Sequence, residues 1–295
     1  MSDSTPTIVV TGATGPLGRA AVDALIARGV APQNIVAAGR NAEKVDALRQ
    51  LGVRTAVIDF AEPATLTAAF EGADTLVLVS ASEPGNRVPL HSNAIDAAKA
   101  AGVTQIVYTS APRADSSPLI LAPEHKATEE YLRASGVAAT ILRNNWYNEN
   151  YSRTLAQVAE SGVYLASTGD GRVASASRPD YAEAIAAVLT GGGLTGGSGA
   201  DARVYELSGD IAWNGDDFAS VLTQLLGREV IYRSVTSAEH AEILRGAGLD
   251  DATIGFLVGL DANIADGLLD TSGDDLSRLI GRPTTPLADT LRPLV

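Results

Sequence analysis

From residue 7 onward, short apolar runs alternate with stretches whose apolar residues repeat at helical spacing. This is the pattern of strands alternating with helices. Thr7–Val10 reads as a strand, and Leu17–Arg28 as a helix that follows a glycine-rich turn. Ile35–Ala38 is the next strand. Asn41 is a suitable N-cap for a helix ending at Gly52, with Ala47, Leu48 and Leu51 as its expected buried stripe. A strand at Thr55–Ile58 and a helix at Ala64–Phe70, closed by Gly72, come next. Thr75–Val79 is apolar nearly throughout, as expected of a parallel strand covered on both faces. Helix His91–Ala101 is closed by Gly102, strand Gln105–Thr109 follows, helix His125–Ser135 is closed by Gly136, and Ala139–Leu142 is a sixth strand.

This alternation with short connections predicts an α/β fold, a doubly wound parallel sheet of the Rossmann type. After about residue 145 the pattern loosens. The expected division is a Rossmann domain over 1–150 and a smaller, mainly helical C-terminal lobe over 151–295. Segments near 170–180 and 203–208 are expected to return to the Rossmann core, with Val204–Leu207 as a late strand. Gly191–Ala200 (GGGLTGGSGA) reads as an exposed loop.

The chain has 295 residues, enough for one large α/β domain or for such a domain with a lobe attached. Its formal net charge of −13 argues against a nucleic-acid partner and against anionic membrane surfaces. It does not exclude an anionic cofactor, which a helix N-terminus and a local arginine can hold. There is no cysteine, which removes thiolate catalysis, cysteine metal sites and disulfides. No zinc- or calcium-type ligand spacing is present either, so no metal is expected. The N-terminus lacks a basic region followed by an apolar one, and no apolar run reaches about 20 residues, so the expectation is a soluble cytoplasmic protein. The sequence is compatible with a homo-oligomer, although no periodic exposed stripe declares an interface.

The strongest motif is Thr11-Gly12-Ala13-Thr14-Gly15-Pro16-Leu17-Gly18, between a strand and a helix. Gly12 permits the tight turn off the strand. Gly15 lets backbone N–H groups approach a pyrophosphate, and Gly18 lets the helix pack close to the sheet. The motif predicts a nicotinamide dinucleotide site. NAD sites commonly place an acid at the end of the second strand, to bond the ribose 2′-OH. Here that strand ends in Gly39-Arg40, and Arg40 suits a 2′-phosphate, so the expected cofactor is NADPH. Asp59, after the third strand, is either an adenine contact or a turn residue. Ser80, Ala81 and Ser82, after the fourth, should line the crevice at the carboxyl ends of the strands.

Alcohol-directed short-chain dehydrogenases use a Tyr-x-x-x-Lys pair, and none of the eight tyrosines here has lysine four residues later. The remaining candidates lie nearby. Ser110 follows the fifth strand, and His125-Lys126 opens the next helix, where His125 is expected to relay a proton near neutral pH or to be a plain polar residue. His91 reads as structural, and His240 as solvated. Arg143-Asn144-Asn145-Trp146-Tyr147-Asn148-Glu149-Asn150 concentrates amides and aromatics after the sixth strand. Trp146 and Tyr147 suit stacking on a planar ring, and Asn144 suits a bond to a carboxamide or a substrate oxygen. The alternative is a helix cap with aromatic packing. Arg178, in a polar loop, is a candidate second phosphate contact.

On these residues the chain resembles the NmrA-like atypical short-chain dehydrogenases, and within them the bacterial NADPH-dependent quinone oxidoreductases. The resemblance runs through TGATGPLG (11–18), SASEPGNR (80–87), YTSAPRADSSPL (108–119), RNNWYNENY (143–151), GDGRVASASRPDYA (169–182) and YELSGDIAW (205–213). It implies reduction of a small quinone-like substrate by NADPH without flavin. It also implies cofactor contacts from Gly12, Ala13, Thr14, Gly15, Pro16, Leu17, Arg40, Ser80, Ala81, Ser82, Arg143, Asn144, Asn145, Trp146, Tyr147, Asn148 and Arg178. His125, Asn144 and Tyr147 form the candidate catalytic set. The missing Tyr-x-x-x-Lys pair fits a quinone, which accepts hydride readily and needs only a weak proton donor. It equally fits an NADP(H)-binding redox sensor of the NmrA type, or a reductase of another activated double bond.

Overall fold

The computed structural model of the chain describes residues 6–191 and 202–295. Its strands are β1 (Ile8–Val10), β2 (Ile35–Gly39), β3 (Arg54–Val57), β4 (Thr75–Leu78), β5 (Gln105–Ser110), β6 (Ala138–Asn144), β7 (Val163–Ala166), β8 (Arg203–Leu207) and β9 (Ile231–Ser234). The first six helices are α1 (Pro16–Ala27), α2 (Ala42–Ala47), α3 (Pro63–Phe70), α4 (Arg87–Ala100), α5 (Ala122–Ser135) and α6 (Ser152–Ser161). The other six are α7 (Arg178–Thr190), α8 (Gly215–Leu226), α9 (Ser237–Gly246), α10 (Asp251–Ala265), α11 (Asp275–Ile280) and α12 (Leu287–Leu291).

Seven strands form one sheet in the order β3-β2-β1-β4-β5-β6-β8. The pairs from β3 through β6 are parallel, with Val10 opposite both Ala37 of β2 and Val77 of β4. The strand order reverses at β1, so the crevice for a ligand opens outside the carboxyl ends of β1 and its neighbours. Alternate residues Val9, Val36, Ala38, Leu76, Leu78, Ile106, Tyr108 and Ile141 share one core with Leu66, Phe70, Ile95 and Leu132 of α3, α4 and α5. Ile8, Val10, Ala37, Val77 and Val107, on the opposite face, are buried as well. Burial on both faces explains why these strands are apolar throughout rather than alternating.

Two compact units divide the chain. The first comprises residues 1–111, 124–144 and 178–206, and the second 112–123, 145–177 and 207–295. The chain passes between the units several times: of the segments expected to return, residues 178–206 lie in the first unit and 170–177 in the second. In the first unit α7 packs on α1. The second unit holds α8 to α12 and a two-stranded parallel sheet of β7 and β9, which the sequence pattern did not announce. Its core is a run of aromatic contacts joining Tyr151, Trp213, Phe218, Tyr164 and Tyr232, with ring centroids 4.8 to 5.4 Å apart.

Most predicted elements stand within a few residues of their expected bounds. Asn41 does cap α2, accepting from the Lys44 N–H at 2.9 Å. The buried pair there is Val45 and Leu48, however, while Ala47 is exposed and Leu51 half-buried. A helix starting at residue 42 turns positions 45 and 48 inward, and its last residues tighten into a 3₁₀ turn that ends at left-handed Gly52. The glycine-rich loop predicted over 191–200 lies outside the described residues beyond Gly191. Among the described residues, no helix is long and apolar enough to cross a membrane.

Candidate active site

The loop between β1 and α1 is built around its glycines. Gly12 adopts φ +63°, a conformation that favours glycine. A Cβ on Gly18 would lie 2.3 Å from the carbonyl oxygen of Gly12, so α1 approaches the loop as closely as its backbone permits. Thr11 ties the loop to β4, since its hydroxyl donates to the Val77 carbonyl at 3.1 Å and accepts from the Val79 N–H at 3.0 Å. The N–H of Ala13 donates to Ala38 and that of Gly15 to Gly12. The first turn of α1 offers its N–H groups from Leu17 on, because Pro16 at the first position has none. A Cβ on Gly39 would come within 2.9 Å of the Thr14 side chain.

Arg40 stands at the carboxyl end of β2, exposed, with its guanidinium on the Glu83 carboxylate. Asp59 takes part in a turn, with Oδ1 accepting from the Ala61 N–H at 2.9 Å. The segment after β4 is held on several sides. Ser80 N–H donates to Thr109 Oγ1 at 2.9 Å, Ala81 N–H donates to His91 Nε2 at 2.9 Å, and Arg87 Nε donates to the Ala81 carbonyl at 2.7 Å. Glu124 fixes Arg87 in turn, at 3.1 Å.

The acceptor role of Nε2 sets the tautomer of His91. With burial and the nearby Arg87 charge holding its pKa down at about 3, the ring is neutral and Nδ1–H donates to Thr128 Oγ1 at 3.0 Å. Thr128 in turn donates to the Glu124 carbonyl. His91 is thus structural, as expected. His125 is buried with Nδ1 2.8 Å from the Tyr108 hydroxyl, and burial, then Arg87, hold its pKa at about 3 too. The ring is therefore neutral at neutral pH. Burial also pushes the Tyr108 phenol far above its ordinary value, so the hydroxyl keeps its proton. With that hydroxyl donating, His125 carries its hydrogen on Nε2. Lys126 points to the exposed side of α5.

Arg143, an expected cofactor contact, is engaged by carboxylates of the protein itself. It is buried, with Nε and one Nη on the two oxygens of fully buried Glu129 at 2.9 and 2.7 Å and the other Nη on Glu206 at 2.8 Å. Ser110 donates to the same Glu129 at 2.7 Å and belongs to the same buried network. Asn144 is buried at the end of β6. In the second unit, Asn145 donates to the Leu269 carbonyl and accepts from the Trp146 N–H. Asn148 accepts from Ser175 and donates to Thr290, so both ends of its amide serve the fold. Trp146 and Tyr147 are half-buried. Arg178, half-buried, is the first residue of α7. His240, expected to be solvated, is buried, with Nδ1 3.0 Å from Asp261 and 3.1 Å from Ser167 Oγ. The reason is that α9 turns it inward between exposed neighbours, whose polarity hides its burial.

Residues that the sequence pattern did not single out include Glu83, Arg87, Tyr108 and Glu129. One signal was available: His125, Thr128, Glu129 and Leu132 follow the helical spacing of a buried face, and three of the four are polar.

The fold, the glycine loop at the head of a βαβ unit and the arginine at the end of β2 define a dinucleotide-binding protein. The sequence pattern of the NAD(P)H-binding family matches residues 12–191, and the chain belongs to that family. It is 43% identical, over 96% of its length and 97% of the relative's, to quinone oxidoreductase 2 of Escherichia coli (strain K12). The crystal structure of the NADPH-dependent quinone oxidoreductase of Escherichia coli complexed with NADPH superposes with a TM-score of 0.90, at 43% identity, covering 98% of this chain and 99% of that one. Triphenylmethane reductase of Citrobacter sp., complexed with NADP(H), superposes with a TM-score of 0.90, at 32% identity, covering 98% of this chain and 100% of that one.

Proposed function

We propose that the protein is an NADPH-dependent quinone oxidoreductase that works by direct hydride transfer, without flavin. The observation that carries this reading is the pairing of the glycine cradle with Arg40 at the end of β2, in a chain 43% identical to quinone oxidoreductase 2. The residues fit the cofactor. Gly12 to Leu17 offer the pyrophosphate a turn without side-chain obstruction and the positive end of α1. Arg40 offers its planar fork to the 2′-phosphate, Asp59 borders the adenine, and the clamped Ser80–Ser82 segment lines the middle of the crevice. Arg178 is a further phosphate contact. Bound NADPH supplies the hydride.

The chain's own task is orientation. A quinone is electron-poor and needs no strong acid, so the absent Tyr-x-x-x-Lys pair is no obstacle. His125 offers a neutral N–H rather than a stored proton. Asn144 offers an amide to an oxygen, and Tyr147 and Trp146 offer half-buried rings for a planar acceptor. Positioning alone supplies much of the rate when the reacting atoms are held about 3–3.5 Å apart.

Steady-state NADPH oxidation with 1,4-benzoquinone tests the reading. Turnover above the enzyme-free rate is expected, with NADPH preferred to NADH and Arg40→Ala raising KM for NADPH about 10-fold or more. A rate no higher than that of free NADPH with the quinone refutes it and favours a second reading, an NADP(H)-binding redox sensor, which the missing pair also fits. A quinone rate lower than that with a triarylmethane dye points to a reductase of another activated double bond.

A further inference from the structure

The pairing of Arg40 bears on cofactor choice. β2 and β4 flank β1, one on each side. Arg40 follows the last residue of β2, and Glu83 lies a few residues past the end of β4. Neighbouring strands are about 4.8 Å apart, so these two backbones stand about 10 Å apart across the mouth of the crevice in front of the glycine loop. The ion pair between Arg40 and Glu83 therefore spans the place where the adenosine end of a dinucleotide must enter. NAD sites often set an acid near the 2′-OH at the end of β2 itself. Here the acid comes from the β4 side and rests on the arginine.

We propose that Glu83 is a specificity-determining residue, a resident counter-ion of Arg40 that lowers the preference for NADPH over NADH. The proposal rests on the assignment of Arg40 to the 2′-phosphate. Side chains of Arg40 and Glu83 are 65% and 38% exposed, so their pair is weak, solvent-screened and readily exchanged. A 2′-phosphate that takes the guanidinium must displace the Glu83 carboxylate or lie beside it, and two anions side by side repel. A 2′-hydroxyl brings no charge and meets no such opposition. Glu83 thus opposes NADPH selectively, while Arg40 favours it. The wild-type preference is the difference between the two.

Equilibrium titration of NADPH and NADH by cofactor fluorescence, on wild type, Glu83→Gln, Arg40→Ala and the double variant, tests this. Glu83→Gln is expected to tighten NADPH about 3- to 10-fold and to leave NADH within about 2-fold, with the gain shrinking at 1 M salt. Glu83→Ala should act with the same sign, which guards against an effect peculiar to the amide. In the Arg40→Ala background the gain should vanish. If Glu83→Gln leaves NADPH unchanged, weakens it, or tightens both cofactors equally while Arg40→Ala still weakens NADPH, the role of Glu83 is overturned and the 2′-phosphate assignment stands. If Arg40→Ala leaves NADPH binding as in wild type, that assignment falls, and the role of Glu83 with it.

Discussion

Acidification is the sharpest perturbation available, because two histidines are buried in the neutral state, one on the Ala81 N–H and the other on the Tyr108 hydroxyl. His91 is fully buried and His125 nearly so, and both are held at about 3, chiefly by burial. In the unfolded chain each titrates near 6.5. Between pH 3 and 6.5 the unfolded state therefore binds more protons, so stability rises with pH through that window and is lost as pH falls. At pH 5 an unfolded imidazole is almost fully protonated. Stripping it on folding costs about 2 kcal/mol per histidine, about 4 kcal/mol for the pair. That is a large share of a net stability of about 5–15 kcal/mol. Urea unfolding at pH 7.5 and pH 5, followed by circular dichroism, on wild type, His91→Asn and His125→Asn measures it. Each variant is expected to lose about 2 kcal/mol less than wild type over that interval, whatever its stability at pH 7.5. The remaining groups are common to all three proteins and cancel in the difference. Equal losses in wild type and both variants would refute the argument that these rings are buried neutral.

Three further substitutions separate local packing from chemistry. Gly18→Ala forces a methyl to within 2.3 Å of the Gly12 carbonyl, and is expected to cost about 1–3 kcal/mol of stability and at least 10-fold in NADPH affinity. Gly255→Ala, exposed on α10 with nothing within 4 Å of the new methyl, should instead stabilise by about 0.5–1 kcal/mol, as thermal unfolding would report. Arg143→Met leaves the Glu129 carboxylate buried without its bidentate partner, and is expected to cost about 3–5 kcal/mol while the folded fraction still binds NADPH with wild-type affinity, read by urea unfolding and by titration.

Local chemistry made the first half of the chain legible. The apolar runs of β1, β4 and β5, the Asn41 cap and the glycine spacing each act within a few residues, so the sequence alone carries them. β7 and β9 escaped because they are short, nearly 70 residues apart in the chain, and β9 is mostly exposed, which erases its hydrophobic pattern. The polar cluster of Tyr108, His91 and His125 was also hidden. Three separate elements supply it, and only the parallel pairing of β4 with β5 and the packing of α4 and α5 bring them together. Arg143 sat in a segment rich in binding chemistry, but its meaning depended on Glu129, fourteen residues earlier on another element. Composition at that position could not distinguish a phosphate ligand from a buried ion pair.

The same contrast explains how a chain of charge −13 can admit a polyanionic cofactor. Arg40, Arg87 and Arg143 all sit near the carboxyl ends of the sheet's strands, and each already faces a carboxylate. Breaking a buried pair costs about 3–5 kcal/mol, whereas an exposed pair is worth about 1 kcal/mol or less. Arg143, 5% exposed against a fully buried Glu129, cannot exchange its partner for phosphate without that larger loss, and Arg87, 9% exposed, is held almost as firmly. Arg40 can exchange, because its pair with Glu83 lies in water. Among these three, exposure rather than charge therefore separates the arginine proposed as the 2′-phosphate ligand from the two held in buried ion pairs.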